Sequence, residues 1–370
     1  MKARLLPVFA LGAIFLSAVS RANAQGGTRE SDLMEARSVK LASTTMVYRL
    51  FKPKTYVATR KYPIVVALHG IGERGNDNRA QVDREDLAHP WIEDSIQARV
   101  PHFVMVPQCP SALTWSGGTG GNISETGQGI LDAIEALKKE FSLDENRFYI
   151  TGLSLGGAGT YHLLQMKPDF WAAAVPCAAG GDTTKIETIA KTPFWHHHGS
   201  LDGNPPAGRR MAGAMEGRKL KIARFVSQAA ITTPSLTSYS SALKSGTKPE
   251  DLCFKGMTPT YDSLKKAVES GADHLYLELT GGDHRSGWMI AWHNPLVAKW
   301  MFSKVRGGAV SLAPKALVAR RGTNQAALVF GDLPLLSGER AFDPRGRALG
   351  LRAGSIKAAQ TPILLMQSVR

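Results

Sequence analysis

Through the middle of the chain, continuous apolar runs alternate with stretches of helical spacing. Ile64-Val65-Val66-Ala67-Leu68 is apolar at every position and stops at His69-Gly70. A strand carrying such a run must be covered on both faces, as in a parallel sheet. Phe103–Val106 has the same character and ends at Pro107. Met46–Phe51, Arg147–Thr151, Trp171–Val175, Pro193–His197 and His274–Leu279 complete the predicted strands. Between them, Ile130, Ile134 and Leu137 lie on one stripe of a helix predicted over Thr126–Phe141. Further helices are predicted over Leu155–Met166, Tyr261–Ser270 and Pro295–Lys304. Strands separated by helices build βαβ units. The expectation is an α/β fold, a mostly parallel sheet with helices on both faces and its site at the carboxyl ends of the strands.

Three segments break this rhythm. Lys2 and Arg4 precede an apolar run from Leu5 to Val19, and Ala22-Asn23-Ala24 follows with the small-x-small pattern of a cleavage site. Residues 1–24 are therefore expected to be a signal peptide, with a mature start near Gln25 and a protein that works outside the cytoplasm. The run is too short to span a bilayer, and no stable membrane span is expected elsewhere. Residues 203–259, rich in Ser, Thr, Lys and Gly, read as an insertion over the site. After Arg306-Gly307-Gly308 short apolar runs are separated by Gly, Pro and Arg. Residues 25–307 are thus the expected catalytic domain, and 308–370 a small, basic, β-rich C-terminal extension.

Charge changes the picture only in the tail. Of a formal net charge of +14, residues 308–370 carry nine Lys/Arg against three Asp/Glu, while residues 25–307 carry 33 against 28. The catalytic part is only mildly basic, so nucleic acid is not an expected partner. Cys109, Cys177 and Cys253 match no metal spacing, and Cys177 reads as a small buried hydrophobe, although export leaves a Cys109–Cys177 bridge open.

The sharpest chemical signal is Tyr149-Ile150-Thr151-Gly152-Leu153-Ser154-Leu155-Gly156-Gly157. It satisfies G-x-S-x-G between a predicted strand and a predicted helix, the context of the nucleophile turn in the α/β-hydrolase fold. Such a serine needs a base to take its proton, and in this fold the acid and then the histidine follow it in the chain. Asp202, just beyond the strand through His197, is the expected acid, with Asp182 and Asp273 as competitors. His284, in a Gly-rich loop after the last core strand, is the expected base, and activity should rise with pH as its imidazole loses its proton. The oxyanion hole is expected from the amides of Leu155 and Ile71, with Gly72 as the alternative to Ile71. No metal or cofactor is called for.

Several motifs together resemble one family. Leu68-His69-Gly70-Ile71-Gly72-Glu73-Arg74-Gly75 is similar to a segment of secreted α/β-hydrolase esterases often termed "predicted peptidase". That group is related to polyhydroxybutyrate depolymerase-like, feruloyl and acetylxylan esterases. Val106-Pro107-Gln108-Cys109-Pro110 with Trp115, Thr151 to Thr160, and His284 followed by Trp288 resemble its later segments. The resemblance spans roughly residues 45–305 and implies Ser154, Asp202 and His284 as a triad in a serine esterase. The long stretch between Asp202 and His284 departs from the compact pattern and leaves the shape of the cleft open. The tail around Phe342–Gly350 loosely resembles sorting modules of plant cell-wall-degrading enzymes, which implies attachment to a cell surface or secretion machinery and a polysaccharide ester as substrate.

Other features admit blander readings. In His196-His197-His198 only the outer two share a strand face, and a structural role is expected over a zinc site. Gly117–Gly121 lacks the strand and lysine of a nucleotide loop. Trp115 and Trp288 are candidate substrate-binding residues, with core packing as the rival for each. Glu73 and Arg74 are expected to form an ion pair that orders their loop. A peptidase of the same fold and a noncatalytic glycan-binding surface protein are the rival functions.

Overall fold

The computed structural model describes residues 29–117, 122–203, 205–228 and 258–309, with four short strands within 327–365. The predicted signal peptide, Cys253 and residues 229–257 lie outside the described residues. Nine strands form the main sheet: β1 (Glu35–Lys40), β2 (Thr45–Phe51), β3 (Tyr62–Leu68), β4 (Phe103–Gln108), β5 (Leu143–Leu153), β6 (Ala173–Cys177), β7 (Phe194–Gly199), β8 (Ala223–Gln228) and β9 (His274–Thr280). Their order is β1-β2-β4-β3-β5-β6-β7-β9-β8. β2 runs antiparallel to both β1 and β4, and the other neighbours are parallel.

Each central strand divides its side chains between two cores, as period-two alternation requires. Along β3, Ile64, Val66 and Leu68 enter one core, and Val65 and Ala67 the other. The first core takes α1 (Glu125–Glu140), α2 (Leu155–Met166) and α3 (Ala207–Gly217). The second takes α4 (Thr258–Glu269), α5 (Ser286–His293) and α6 (Pro295–Ser303). α1 begins where Ser124 accepts a hydrogen bond from the Gly127 amide, the usual service of an N-terminal serine to an unpaired donor. The fold is α/β with helices on both faces.

Local differences from the sequence reading have physical causes. β5 begins at Leu143, well before Arg147, because its polar first residues extend beyond the core where no apolar pattern marks them. Within the stretch read as an insertion, β8 belongs to the sheet itself and α3 packs against it. Among the described residues β8 is at the edge and pairs with β9 alone, and its exposure blurs the pattern that would mark it. Cys109 and Cys177 are buried free thiols on opposite sides of the sheet, so they form no bridge. In the tail, Ala327–Val329 pairs with Ile363–Leu365, and Ala341–Phe342 with Ala348–Leu349, both antiparallel.

Candidate active site

Ser154 stands between β5 and α2 with φ 51° and ψ −116°, a conformation that a residue with a Cβ adopts only under strain. The turn is tight because three backbones meet there. A Cβ on Gly152 would overlap the Gly156 carbonyl, and one on Gly156 would overlap the carbonyl of Leu68 in β3. The Ser154 amide donates to the Cys177 carbonyl at the end of β6 (3.0 Å), which fixes the turn to the neighbouring strand. Leu155 opens α2, so its amide is one of the first-turn donors that a helix leaves unpaired.

His284 Nε2 lies 2.9 Å from Ser154 Oγ, and His284 Nδ1 lies 2.7 Å from Asp202 Oδ2. An ionised carboxylate only accepts, so Nδ1 carries the proton and Nε2 is left to accept from the serine hydroxyl. Burial works to raise the Asp202 pKa, but the hydrogen bonds from His198 and His284 outweigh it and hold the carboxyl well below the usual range. The loops carrying Asp202 and His284 are stitched together. The amides of Ser200 and Leu201 donate to the carbonyls of Leu279 and Gly282, and the Gly281 amide donates to Ser200 Oγ, each at 2.9 Å. The competing aspartates sit elsewhere. Asp182 accepts from the Thr184 amide and hydroxyl, and Asp273 pairs with Lys304.

Ile71 begins a short 3-10 helix, Ile71–Glu73, directly after β3, and its amide heads that turn as the Leu155 amide heads α2. The loop is held beside the nucleophile: a Cβ on Gly70 would come within 3.7 Å of the Ser154 Cβ. His69 anchors the loop from within. Its Nδ1–H donates to the Gly70 carbonyl (2.6 Å), and its Nε2 accepts from the Cys109 amide (2.9 Å). Burial lowers the His69 pKa to about 4, which keeps the imidazole neutral for both roles.

Three expectations change here. Trp115 is fully buried, with its indole N–H donating to the His69 carbonyl (3.0 Å) and its Cβ against Gly159 of α2, so it braces the loop after β3 and lines no cleft. Trp288 is 3% exposed, and its ring meets the His284 imidazole edge-on at 5.2 Å, so it backs that imidazole rather than facing solvent. Glu73 and Arg74 do not pair. The Arg74 guanidinium donates to the carbonyls of Ser111 and Leu113, while Glu73 turns inward, and burial, with the Glu85 charge nearby, pushes its pKa up to about 7.

Among the described residues, the large apolar side chains exposed at the site are Ile71 (62%) on the loop after β3 and Leu201 (72%) beside Asp202. Sequence reasoning also passed over His198, whose Nε2 is 3.0 Å from Asp202 Oδ2. Its shared face with His196 was legible, but not the carboxylate at its end. Among the described residues, no group of three or more His, Cys, Asp or Glu side chains is arranged to hold a metal ion, and no helix is long and apolar enough to cross a membrane.

A crystal structure of a thermostable esterase superposes on this chain with a TM-score of 0.52 at 30% identity, over 74% of this chain and 64% of that one. Residues 122–221, from the start of α1 to the approach to β8, match the prolyl oligopeptidase family. The chain has the α/β-hydrolase fold. The chain is also 29% identical over 146 residues to a bifunctional acetylxylan esterase/xylanase of Neocallimastix patriciarum, a match covering 38% of its own chain and 19% of the relative. It therefore spans about a fifth of that relative and just under two thirds of the solved esterase.

Proposed function

We propose that this protein is an exported serine carboxylester hydrolase that cleaves carbohydrate-linked acetyl or feruloyl esters of plant polysaccharide through Ser154, His284 and Asp202. The observation that carries the reading is the unbroken hydrogen-bonded row from Ser154 Oγ through the imidazole to Asp202 Oδ2, set on a strained turn at a helix N-terminus. His284 Nε2 takes the hydroxyl proton as Ser154 Oγ bonds to the ester carbonyl carbon, and the amides of Leu155 and Ile71 hold the oxyanion. The imidazolium gives that proton to the departing alcohol oxygen. Water, deprotonated by the same imidazole, then releases the acid and restores the serine. Ile71 and Leu201 offer an apolar surface beside the carbonyl, which suits an acyl group more than a charged one. Ester activity is favoured by the acetylxylan esterase activity in the relative's name. Residues 1–24 would direct export, and the basic 308–370 extension would serve sorting or attachment at a cell surface.

Peptide hydrolysis by the same machinery is the second reading, favoured by the match to the prolyl oligopeptidase family over 122–221. A fluorophosphonate probe should label Ser154 in the folded protein, and Ser154→Ala should be neither labelled nor active. Acetylated and feruloylated xylan should be hydrolysed faster than short peptides. Absence of labelling at Ser154 sinks the serine mechanism, and peptide turnover without ester turnover replaces the esterase with the peptidase.

A further inference from the structure

Behind Asp202 runs a second line of hydrogen bonds that the proposed reaction does not use. His196 and His198, two residues apart on β7, face the same core, their rings stacked at 17°. His198 Nε2 is 3.0 Å from Asp202 Oδ2 and 3.3 Å from the Asp202 carbonyl. His198 Nδ1 is 3.0 Å from His196 Nε2, and His196 Nδ1 is 2.6 Å from the Tyr161 hydroxyl of α2. The whole line is buried.

Its proton positions follow from its ends. Asp202, ionised, only accepts, so His198 Nε2 carries a hydrogen. With that hydrogen on Nε2, His198 Nδ1 is left to accept from His196 Nε2, and His196 Nδ1 accepts from Tyr161. The other end agrees. Burial holds the Tyr161 hydroxyl well above its usual pKa, so it stays a donor, and burial together with the neighbouring His198 holds His196 well below its usual pKa, so it stays neutral. Every donor in the line therefore points toward Asp202. The other groups packed on it keep to themselves: Tyr276 of β9 meets the His196 ring edge-on but donates to Glu278 (2.7 Å), whose carboxylate is engaged by Arg209.

We propose that His198 is a positioning residue for the catalytic row, sharing Asp202 Oδ2 with His284, and that His196 and Tyr161 lock the tautomer that lets it donate. The proposal rests on Ser154, His284 and Asp202 being the reacting row. Two donors on one oxygen hold the carboxylate at a fixed angle to the base. They also divide its charge, so that the His284 imidazolium is stabilised less than by an aspartate paired with it alone. The direction of the imidazole toward Ser154 is thus set from behind.

The test compares wild type with His198→Phe, His198→Asn, His198→Gln and Tyr161→Phe on 4-nitrophenyl acetate, with active sites counted by fluorophosphonate titration. Phe keeps ring volume without a donor, Asn is too short to reach Asp202, and the Gln amide can replace Nε2. Phe and Asn should each lower kcat per active site by about tenfold or more, as for loss of a hydrogen bond to a charged group, with KM within about twofold. Both should raise the midpoint of the acid limb of kcat/KM, because Oδ2 then serves His284 alone. Gln should recover most of kcat and return the midpoint, and Tyr161→Phe should move the midpoint upward by less. A midpoint that stays put in His198→Asn and Tyr161→Phe overturns the proposal, as does a kcat loss that Gln does not restore. If His198→Phe fails to fold, the other three variants decide. Should Ser154→Ala remain active, the underlying reaction is wrong; should it be dead while the His198 variants behave as wild type, only this inference falls.

Discussion

Gly199, the last residue of β7, lies directly against the backbone carbonyls of Gly282 and Asp283, where a Cβ would overlap both oxygens. This close approach sets the spacing between the loop that carries Asp202 and the loop that carries His284. The amide-to-carbonyl bonds from Ser200 and Leu201 then complete the seam.

Gly199→Ala should therefore separate acid from base. Forcing a methyl group into backbone costs about 1–3 kcal/mol, as overpacked cores do. The variant should melt earlier and lose kcat far more than it raises KM, since the loops part at the row and not at the rim. Thermal unfolding and steady-state kinetics check this together. A stable Ala variant with wild-type kcat would show that the seam does not govern the site.

The nucleophile turn makes an opposite prediction about stability. Ser154 holds φ 51° and ψ −116° at a cost of about 1–3 kcal/mol, which glycine escapes. Ser154→Gly and Ser154→Ala should both be inactive, and both lose the bond to His284. Glycine should nonetheless be the more stable by roughly 1 kcal/mol, even after its greater freedom in the unfolded chain is counted. Calorimetry on the pair isolates the backbone term, and an alanine variant of equal or higher melting temperature contradicts a strained turn.

Strands buried on both faces announced themselves in the sequence, because Ile64–Leu68 and Phe103–Val106 leave no polar position to mislead. Ser154, Asp202 and His284, which the structure joins in one hydrogen-bonded row, were singled out from the turn chemistry of the first and the chain order of the others. β1 and β8 were not readable. Both lie at the margins of the sheet, where partial exposure dilutes alternation. Trp115 and Glu73 were misjudged because burial is a property of packing, which no local pattern records. An aromatic or a carboxylate beside a site motif looks the same in sequence whether it faces solvent or turns inward. The His198 contact needed the third dimension for a different reason: its partner sits around a bend of chain whose geometry depends on the His284 loop.

The two tryptophan roles separate from the rim residues in kinetics. Trp115→Phe removes the indole donor to the His69 carbonyl and should cost about 1 kcal/mol of stability. Trp115→Ala should cost about 3–5 kcal/mol, the range for emptying a buried aromatic site. Neither should raise KM in the folded fraction. Ile71→Ala and Leu201→Ala, by contrast, should raise KM for aryl esters several-fold while leaving the melting temperature nearly unchanged, because both side chains already face solvent. A KM effect of Trp115→Phe larger than that of either rim variant would restore it to the cleft.

Glu73 supplies the pH dependence of stability. Its carboxyl is 7% exposed, and a Cβ on Gly70 would lie 3.2 Å from its Oε2, so the charge would form beside the oxyanion loop. Burial first, and the Glu85 charge second, raise its pKa from 4.5 to about 7. A carboxyl raised on folding binds its proton more tightly in the native state. Its stabilising contribution is whole below about pH 4.5, declines as pH rises, and is spent above about 7. The interval corresponds to roughly 3 kcal/mol. Glu73→Gln imitates the protonated form at every pH. Its unfolding free energy should match wild type near pH 4.5 and exceed it by up to about 3 kcal/mol at pH 8. The same variant should gain kcat at pH 8, because a carboxylate in that loop opposes the developing oxyanion. Denaturant titrations at both pH values decide the point. Parallel stability curves for the two proteins across this range would mean that Glu73 is ionised throughout, and that its burial is compensated by the Gly70 amide and Arg84 more fully than the direction of its shift indicates.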